Sequence, residues 1–279
     1  MKLEGRASTG IAGFSLVEIA VVLVILSVLI AIVAVPLATQ IEQRRSEETL
    51  RQLEGIKEAL MGFASSKGRL PCPATLASAG QEYFCTATLP AACTPTTTEQ
   101  THGRCVANVG FLPAVTLGIA PIDPNGFAVD AWGLSQNRIR YAVANNSIVA
   151  NPPVCPVAAA NVFTSSLTGM RVATMPCLAD NTVTLLTVCG VTPTGAAGAA
   201  TGCTAPLVTK APFVLISLGK NAPVGGTGTD EAHNVDADGY FVSHTPTLAG
   251  SASGEFDDIV TWGSLNTLFA RMVQAGKLP

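Results

Sequence analysis

Glu18 is the residue whose placement most demands chemistry. It is a carboxylate at the edge of an apolar run, and from Ile19 to Ile41 no charged residue follows. A carboxylate held among hydrocarbon costs on the order of 2.5–3.5 kcal/mol on bilayer insertion scales, so it calls for a cationic partner. A second set is acidic. Between Lys220 and Arg271 there is no Lys or Arg, while Asp230, Glu231, Asp236, Asp238, Glu255, Asp257 and Asp258 fall in that interval. Such a cluster repels itself unless it is solvated or binds a cation. Asn234-Val235-Asp236-Ala237-Asp238-Gly239 matches the first half of an EF-hand loop, but Thr245 stands where the closing Glu belongs, which argues against a true EF-hand.

A third set is the eight cysteines, Cys72, Cys85, Cys93, Cys105, Cys155, Cys177, Cys189 and Cys203, all beyond the apolar run. An even count in an exported domain reads as a disulfide framework. Local loops close at least entropic cost, which favours sequential pairing. A zinc cluster lacks support, since there is no Cys-x-x-Cys and no His at ligand spacing. Catalytic constellations are missing too. The histidines are His102, His233 and His244, read as surface or loop residues, and no Gly-x-Ser-x-Gly, His-Glu-x-x-His or Walker loop occurs. Gly-rich 225–230 lacks the Lys-Ser/Thr of a phosphate cradle and reads as a turn. The chain is therefore expected not to be an enzyme.

The elements that position these residues follow from the hydropathy pattern. In 279 residues, 13% are charged and 48% hydrophobic, with a mean hydropathy of +0.41, which excludes an intrinsically disordered chain. A net charge of −3 excludes a whole-chain nucleic-acid binder. The run from Ile19 to Ile41 makes about 35 Å of helix, enough for a hydrocarbon core of roughly 30 Å. Lys2 and Arg6 favour a cytoplasmic N-terminus. Pro36 removes a backbone donor and predicts a kink. From Leu37 to Ser66 the helix continues as amphipathic, with Leu37, Ile41, Leu50, Leu53, Ile56, Leu60 and Phe63 on one side and a Glu47–Arg51 pair on the other. Gly68, Pro71 and Pro73 stop it. Strands are expected at 138–143, 170–174, 182–188, 213–218 and 259–262, and a short helix at 265–273. Residues 74–105 and 151–205 read mainly as loops, with 192–202 a flexible connector.

Gly13-Phe14-Ser15-Leu16-Val17-Glu18 and the apolar residues after it closely resemble the processing signal of type IV pilins and type II secretion pseudopilins. The resemblance implies cleavage between Gly13 and Phe14 by a prepilin peptidase and N-methylation of Phe14. It also implies pairing of Glu18 with the new amine of a neighbouring subunit. Cleavage creates the cation, methylation keeps its charge, and Glu18 supplies the anion. Pilin-like helices commonly carry a proline near Pro36. The stretch from Asp130 to Val143 resembles the strand-forming region of major pseudopilins.

Four segments follow from this reading: a leader at 1–13, a transmembrane and assembly helix at 14–36, its amphipathic continuation at 37–66, and a head at 67–279. The expected fold class is α+β, a long N-terminal helix, transmembrane then amphipathic, packed on an antiparallel β-sheet head with long disulfide-tied loops. The expected placement is single-pass in the bacterial inner membrane, with a cytoplasmic N-terminus and a periplasmic head. The expected role is a structural subunit, minor rather than abundant, of a pilus or pseudopilus. Its expected partners are a prepilin peptidase and N-methyltransferase, other pilin or pseudopilin subunits and the inner membrane. The alternative role is a tip module that binds a surface, a secreted protein or DNA. Finally, 217–221 followed by 257–262 resembles the late loop of major pseudopilins, where calcium is held. That likeness implies Asn221, Asp257 and Asp258 as ligands, with Asp236 and Asp238 as substitutes from a longer intervening loop.

Overall fold

The computed structural model describes residues 15–85, 95–96, 104–144, 161–165, 169–170, 175–179, 185–222 and 228–278; within the first helix the side chains of 31–38 are not among those described. The chain divides into two compact units, Met1–Arg45 and Ser46–Pro279. Helix α1, Leu16–Lys67, contributes to both.

In the first unit α1 is apolar around its circumference, and Leu16, Val17, Leu23 and Ile30 are all more than 60% exposed. The expected membrane span is corrected here. Among the described residues, no helix is long and apolar enough to cross a membrane. The described apolar side chains run from Leu16 to Ile30, about 22 Å of helix against a hydrocarbon core of roughly 30 Å, and Glu42, Arg44 and Arg45 follow in the same helix. The transmembrane half of the expected fold and the single-pass inner-membrane placement therefore do not stand. Gly13, Phe14 and the side chain of Pro36 lie outside the described residues, although the backbone is helical through position 36.

In the second unit α1 is one-sided. Thr49, Leu53, Ile56, Leu60 and Ala64 are buried at three- and four-residue spacing. Leu53, Ile56 and Leu60 belong to the expected stripe, but at its start Leu50 is 47% exposed and Thr49 takes the inner position. Arg51 lies 3.9 Å from Glu48 rather than beside Glu47, and Lys57 lies 2.8 Å from Glu54. Gly68, at φ 76°, closes the helix by donating to Ala64 O at 2.8 Å.

The strands are short. They are β1 Phe84–Cys85, β2 Pro95–Thr96, β3 Arg104–Cys105, β4 Val109–Phe111, β5 Arg140–Val143, β6 Leu186–Cys189, β7 Pro206–Ala211, β8 Phe213–Ser217, β9 Tyr240–Val242 and β10 Ile259–Trp262. The helices after α1 are α2 Ala114–Leu117, α3 Met175–Ala179, α4 Thr229–Val235 and α5 Leu265–Gln274. The class is α+β, but the described residues of the head form three sheets rather than one. A four-stranded antiparallel sheet runs β10-β8-β5-β4, a second runs β2-β1-β3, and a third runs β7-β6-β9. In the third, β6 and β9 are parallel, with Val188 opposite Phe241, so the all-antiparallel expectation is also corrected. Every residue of β8 is buried, as suits a continuous apolar run at a sheet centre. Its neighbours share one core with Leu53, Leu60, Tyr141, Leu268 and Met272.

Disulfides join Cys72 to Cys105 and Cys189 to Cys203. The second fits sequential pairing; the first does not, because Cys72 reaches past Cys85 to β3. Cys85 and Cys177 are also disulfide-bonded, while Cys93 and Cys155 lie outside the described residues. Beside Cys72 the Arg69 guanidinium grips Glu82 through two bonds of 2.8 and 2.9 Å, both side chains being buried, and Cys72 N donates to the same carboxylate at 3.2 Å.

Removing one partner of this buried pair strands a charge, so Arg69→Met should destabilise the protein by about 3–5 kcal/mol in urea unfolding. Arg69→Met with Glu82→Leu should recover most of that loss. A double variant as unstable as the single one would contradict the account.

Candidate metal centre

The register of the central sheet builds the site. Ile259 at the start of β10 pairs with Ser217 at the end of β8. Asp257 and Asp258, just before β10, are thereby brought beside Gly219, Lys220 and Asn221, just after β8. Asp257 Oδ2 accepts from Lys220 N at 2.9 Å and Asn221 N at 3.1 Å. Gly219 has φ 62°, and a Cβ there would collide with the Asp257 carboxylate, so the turn requires glycine.

The turn is held from below. Asp130 accepts from Asn137 Nδ2 at 3.1 Å and from Ser217 Oγ, and Asn137 Nδ2 also reaches Gly219 O. Trp132 N donates to Asp130 Oδ1 at 2.9 Å, which fixes the turn before β5 against the same sheet end. Burial pushes the Asp130 carboxyl up, against the lowering pull of these donors.

Helix α4 supplies the third carboxylate. Glu231, on its first turn, accepts from Asn221 Nδ2 at 2.7 Å and from Asp257 N at 3.1 Å through Oε1, and from Gly228 N at 3.3 Å through Oε2. Oxygens of Glu231, Asp257 and Asp258 all lie within 4.8 Å of one another. Glu231, Asp258 and Asn221 are less than 10% exposed. Desolvation pushes Asp257 up to about 6; the Asn221 amide opposes this, and the charges of Glu231 and Glu255 add to it. Asp258 is raised well above the ordinary carboxylate range by burial, with the Asn234 amide opposing and Glu231 and Asp257 adding. Arg140 is the cation that faces Asp258.

Two buried oxygens here, Asn221 Oδ1 and Asp257 Oδ1, have no hydrogen-bond partner. Unpaired buried acceptors beside crowded carboxylates form a hard, all-oxygen donor set of the kind a calcium ion takes. The residues present therefore fit the ion that the resemblance implies.

The structure thus brings together Asn221, Asp257 and Asp258 of the expected ligands. It does not bring in Asp236 and Asp238, which form a separate group with His233. Glu231 was not among the expected ligands. Its sequence signals are its membership of the acidic interval between Lys220 and Arg271 and its place three residues after the helix-starting Gly228. His233 is buried rather than on the surface, and His102 lies outside the described residues. Residues 192–202 are not a flexible connector either. They fold back on themselves through Thr194 N to Gly202 O at 2.9 Å and Thr201 N to Thr194 O at 2.8 Å.

The raised Asp257 sets a pH dependence. Its carboxyl holds a proton up to about pH 6 when folded but only to its ordinary 3.8 when unfolded. The folded state binds more protons inside that window, so this contribution to stability is lost as pH rises through it. Asp257→Asn keeps an acceptor for the two backbone amides. In chelator-treated protein it should raise Tm over the wild type at pH 7, and the gap should shrink toward pH 4. A gap independent of pH, in thermal scans of both proteins, would refute the charge crowding.

No family model, curated protein or solved structure matches this chain.

Proposed function

We propose that this chain is a structural subunit of a type IV pilus or type II secretion pseudopilus, assembled through the N-terminal half of α1 after removal of the leader. The observation that carries the reading is the exposed apolar circumference from Leu16 to Ile30, where exposure runs from 46% at Ile19 to 86% at Leu16. A one-sided stripe would suit a single partner helix. A helix apolar all round needs neighbours on every side, and the core of a helical filament supplies them. Burial of such side chains stabilises by roughly 1.5–3 kcal/mol each. Glu18 is exposed and accepts a 3.4 Å hydrogen bond from Ser15 N. Packed among apolar neighbours, it would be costly without a cation. The Phe14 amine released by cleavage after Gly13 is that cation, offered by an adjacent subunit. Pairing is possible only at one stagger, so Glu18 sets register.

In cells making the full chain, Gly13→Ala should leave the leader uncut, as mass spectrometry of the N-terminus would reveal. Glu18→Ala should be cut normally yet be lost from sheared filament fractions. A Glu18→Ala protein incorporated like the wild type would end the proposed pairing.

We further propose that Glu231, Asp257, Asp258 and Asn221 hold a calcium ion that ties α4 to the ends of β8 and β10. The unpartnered Asn221 Oδ1 and the crowded carboxylates support this reading. Calcium at one hundred times its Kd adds about 2.7 kcal/mol, which is a rise of roughly 5–10 °C in Tm for a domain of this size. That rise should appear in chelator-treated protein on adding calcium and be absent in Asp257→Asn. No shift at millimolar calcium would sink the site.

A further inference from the structure

We propose a second cation site, of different chemistry, on the other end of α4: His233, Asp236 and Asp238 bind a first-row divalent metal ion such as Zn²⁺. Ligand atoms of the three residues lie within 4.8 Å of one another. His233 Nδ1 is 3.6 Å from Asp236 Oδ2. That is long for a hydrogen bond, and Nδ1 is buried with no hydrogen-bond partner, on a residue only 2% exposed. Two ligands of a tetrahedral ion with bonds of 2.0–2.1 Å stand about 3.3 Å apart, close to the separation seen. A buried imidazole nitrogen aimed at a carboxylate yet not bonded to it is therefore placed as a metal ligand would be.

The carboxylates are already oriented by other bonds. Asp236 Oδ2 accepts from Gly198 N at 2.7 Å, and Asp236 Oδ1 from Asp238 N at 3.0 Å. Asp238 Oδ2 accepts from Ala200 N at 2.8 Å, and Asp238 Oδ1 from Tyr240 N at 3.0 Å. Each carboxylate oxygen has a second lone pair for a metal, and such outer partners hold ligands in place. The amides of Gly198 and Ala200 come from the loop closed by Cys189–Cys203, so an ion here would fasten that loop to the end of α4. Two carboxylates and a neutral imidazole balance the charge of a divalent ion. Arg140 also faces Asp236, while its guanidinium donates to Val235 O at 3.0 Å.

Donor chemistry separates the two sites. Glu231, Asp257, Asp258 and Asn221 offer oxygen alone, which suits calcium, whereas an imidazole nitrogen with carboxylates suits zinc and its neighbours. The full chain, kept oxidised and treated with chelator, would be titrated with zinc by calorimetry in millimolar calcium. One equivalent should bind to the wild type and to Asp257→Asn and His244→Gln. It should be lost in His233→Gln and in Asp238→Asn, the latter keeping an oxygen for the Ala200 and Tyr240 amides. Near-UV circular dichroism checks that each variant is folded, and Asp238→Asn decides the matter if His233→Gln is not. A wild type that binds no zinc, as a bare His233–Asp236 ion pair would behave, overturns the proposal. So does a folded variant of His233 or Asp238 that binds as the wild type does.

Discussion

The antiparallel pairing of β8 with β10 is the constraint on which the head depends. Four consecutive pairs, from Ile259 opposite Ser217 to Trp262 opposite Val214, fix the register of the two strands. Because side chains alternate faces, a slip of one residue would turn each strand inside out, and β8 has no exposed face to receive such an error. The same register decides what lies just past the strand ends. It forces Asp257 and Asp258 against the Gly219 turn and brings Glu231 of α4 to the same place. Apolar burial thus dictates a position at which like charges crowd. Hydrogen bonds from the Asn221 and Asn234 side chains and four backbone amides relieve that crowding in part. The calcium ion proposed above would relieve the rest.

Helix α1 follows opposite rules in its two halves. Up to Ile30 the side chains are apolar in every direction, and no described side chain there offers a charged face except at Glu18. From Ser46 onward a narrow stripe is buried and charges fill the remainder, with Glu58 reaching Arg271 of α5 at 3.0 Å. A stripe is what one packed sheet can cover. A full circumference is more than one sheet can cover, which is the physical basis of the assembly role proposed above for the first half.

Legibility from sequence followed the range of the interactions involved. Ile259–Trp262 and Phe213–Ser217 stood out as short apolar runs, and α5 as an amphipathic one, because local hydropathy determines them. The parallel pairing of β6 with β9 was not legible, since it joins Val188 to Phe241 across two other strands and a helix. The start of the α1 stripe was not legible because Thr49, a polar residue, takes the buried place expected of Leu50, its hydroxyl accepting from Ala131 N at 3.2 Å. Cys72 was misassigned because loop entropy grows only logarithmically. A loop twice as long costs about 0.6 kcal/mol more, which local geometry easily outweighs. Asn221, Asp257 and Asp258 are singled out by the resemblance, whereas Glu231, legible only as one acid among seven between Lys220 and Arg271, is set beside them by the fold of α4.

The head's short strands also bear on where its cross-links and buried ion pair lie. Its strands are only two to six residues long, and few backbone bonds fasten each of them. Between them lie turns and loops, several of them anchored by buried apolar side chains such as Leu112, Phe127, Phe163 and Phe256. Covalent and ionic ties add to these apolar anchors. Cys72–Cys105 anchors the segment after α1 to β3, and the buried Arg69–Glu82 pair lies against it. Cys189–Cys203 closes the 192–202 turn, whose tip is then caught by Asp236 and Asp238. Cys72 and Cys105 are themselves part of the hydrophobic core, so their cross-link fastens the core to the chain that follows α1.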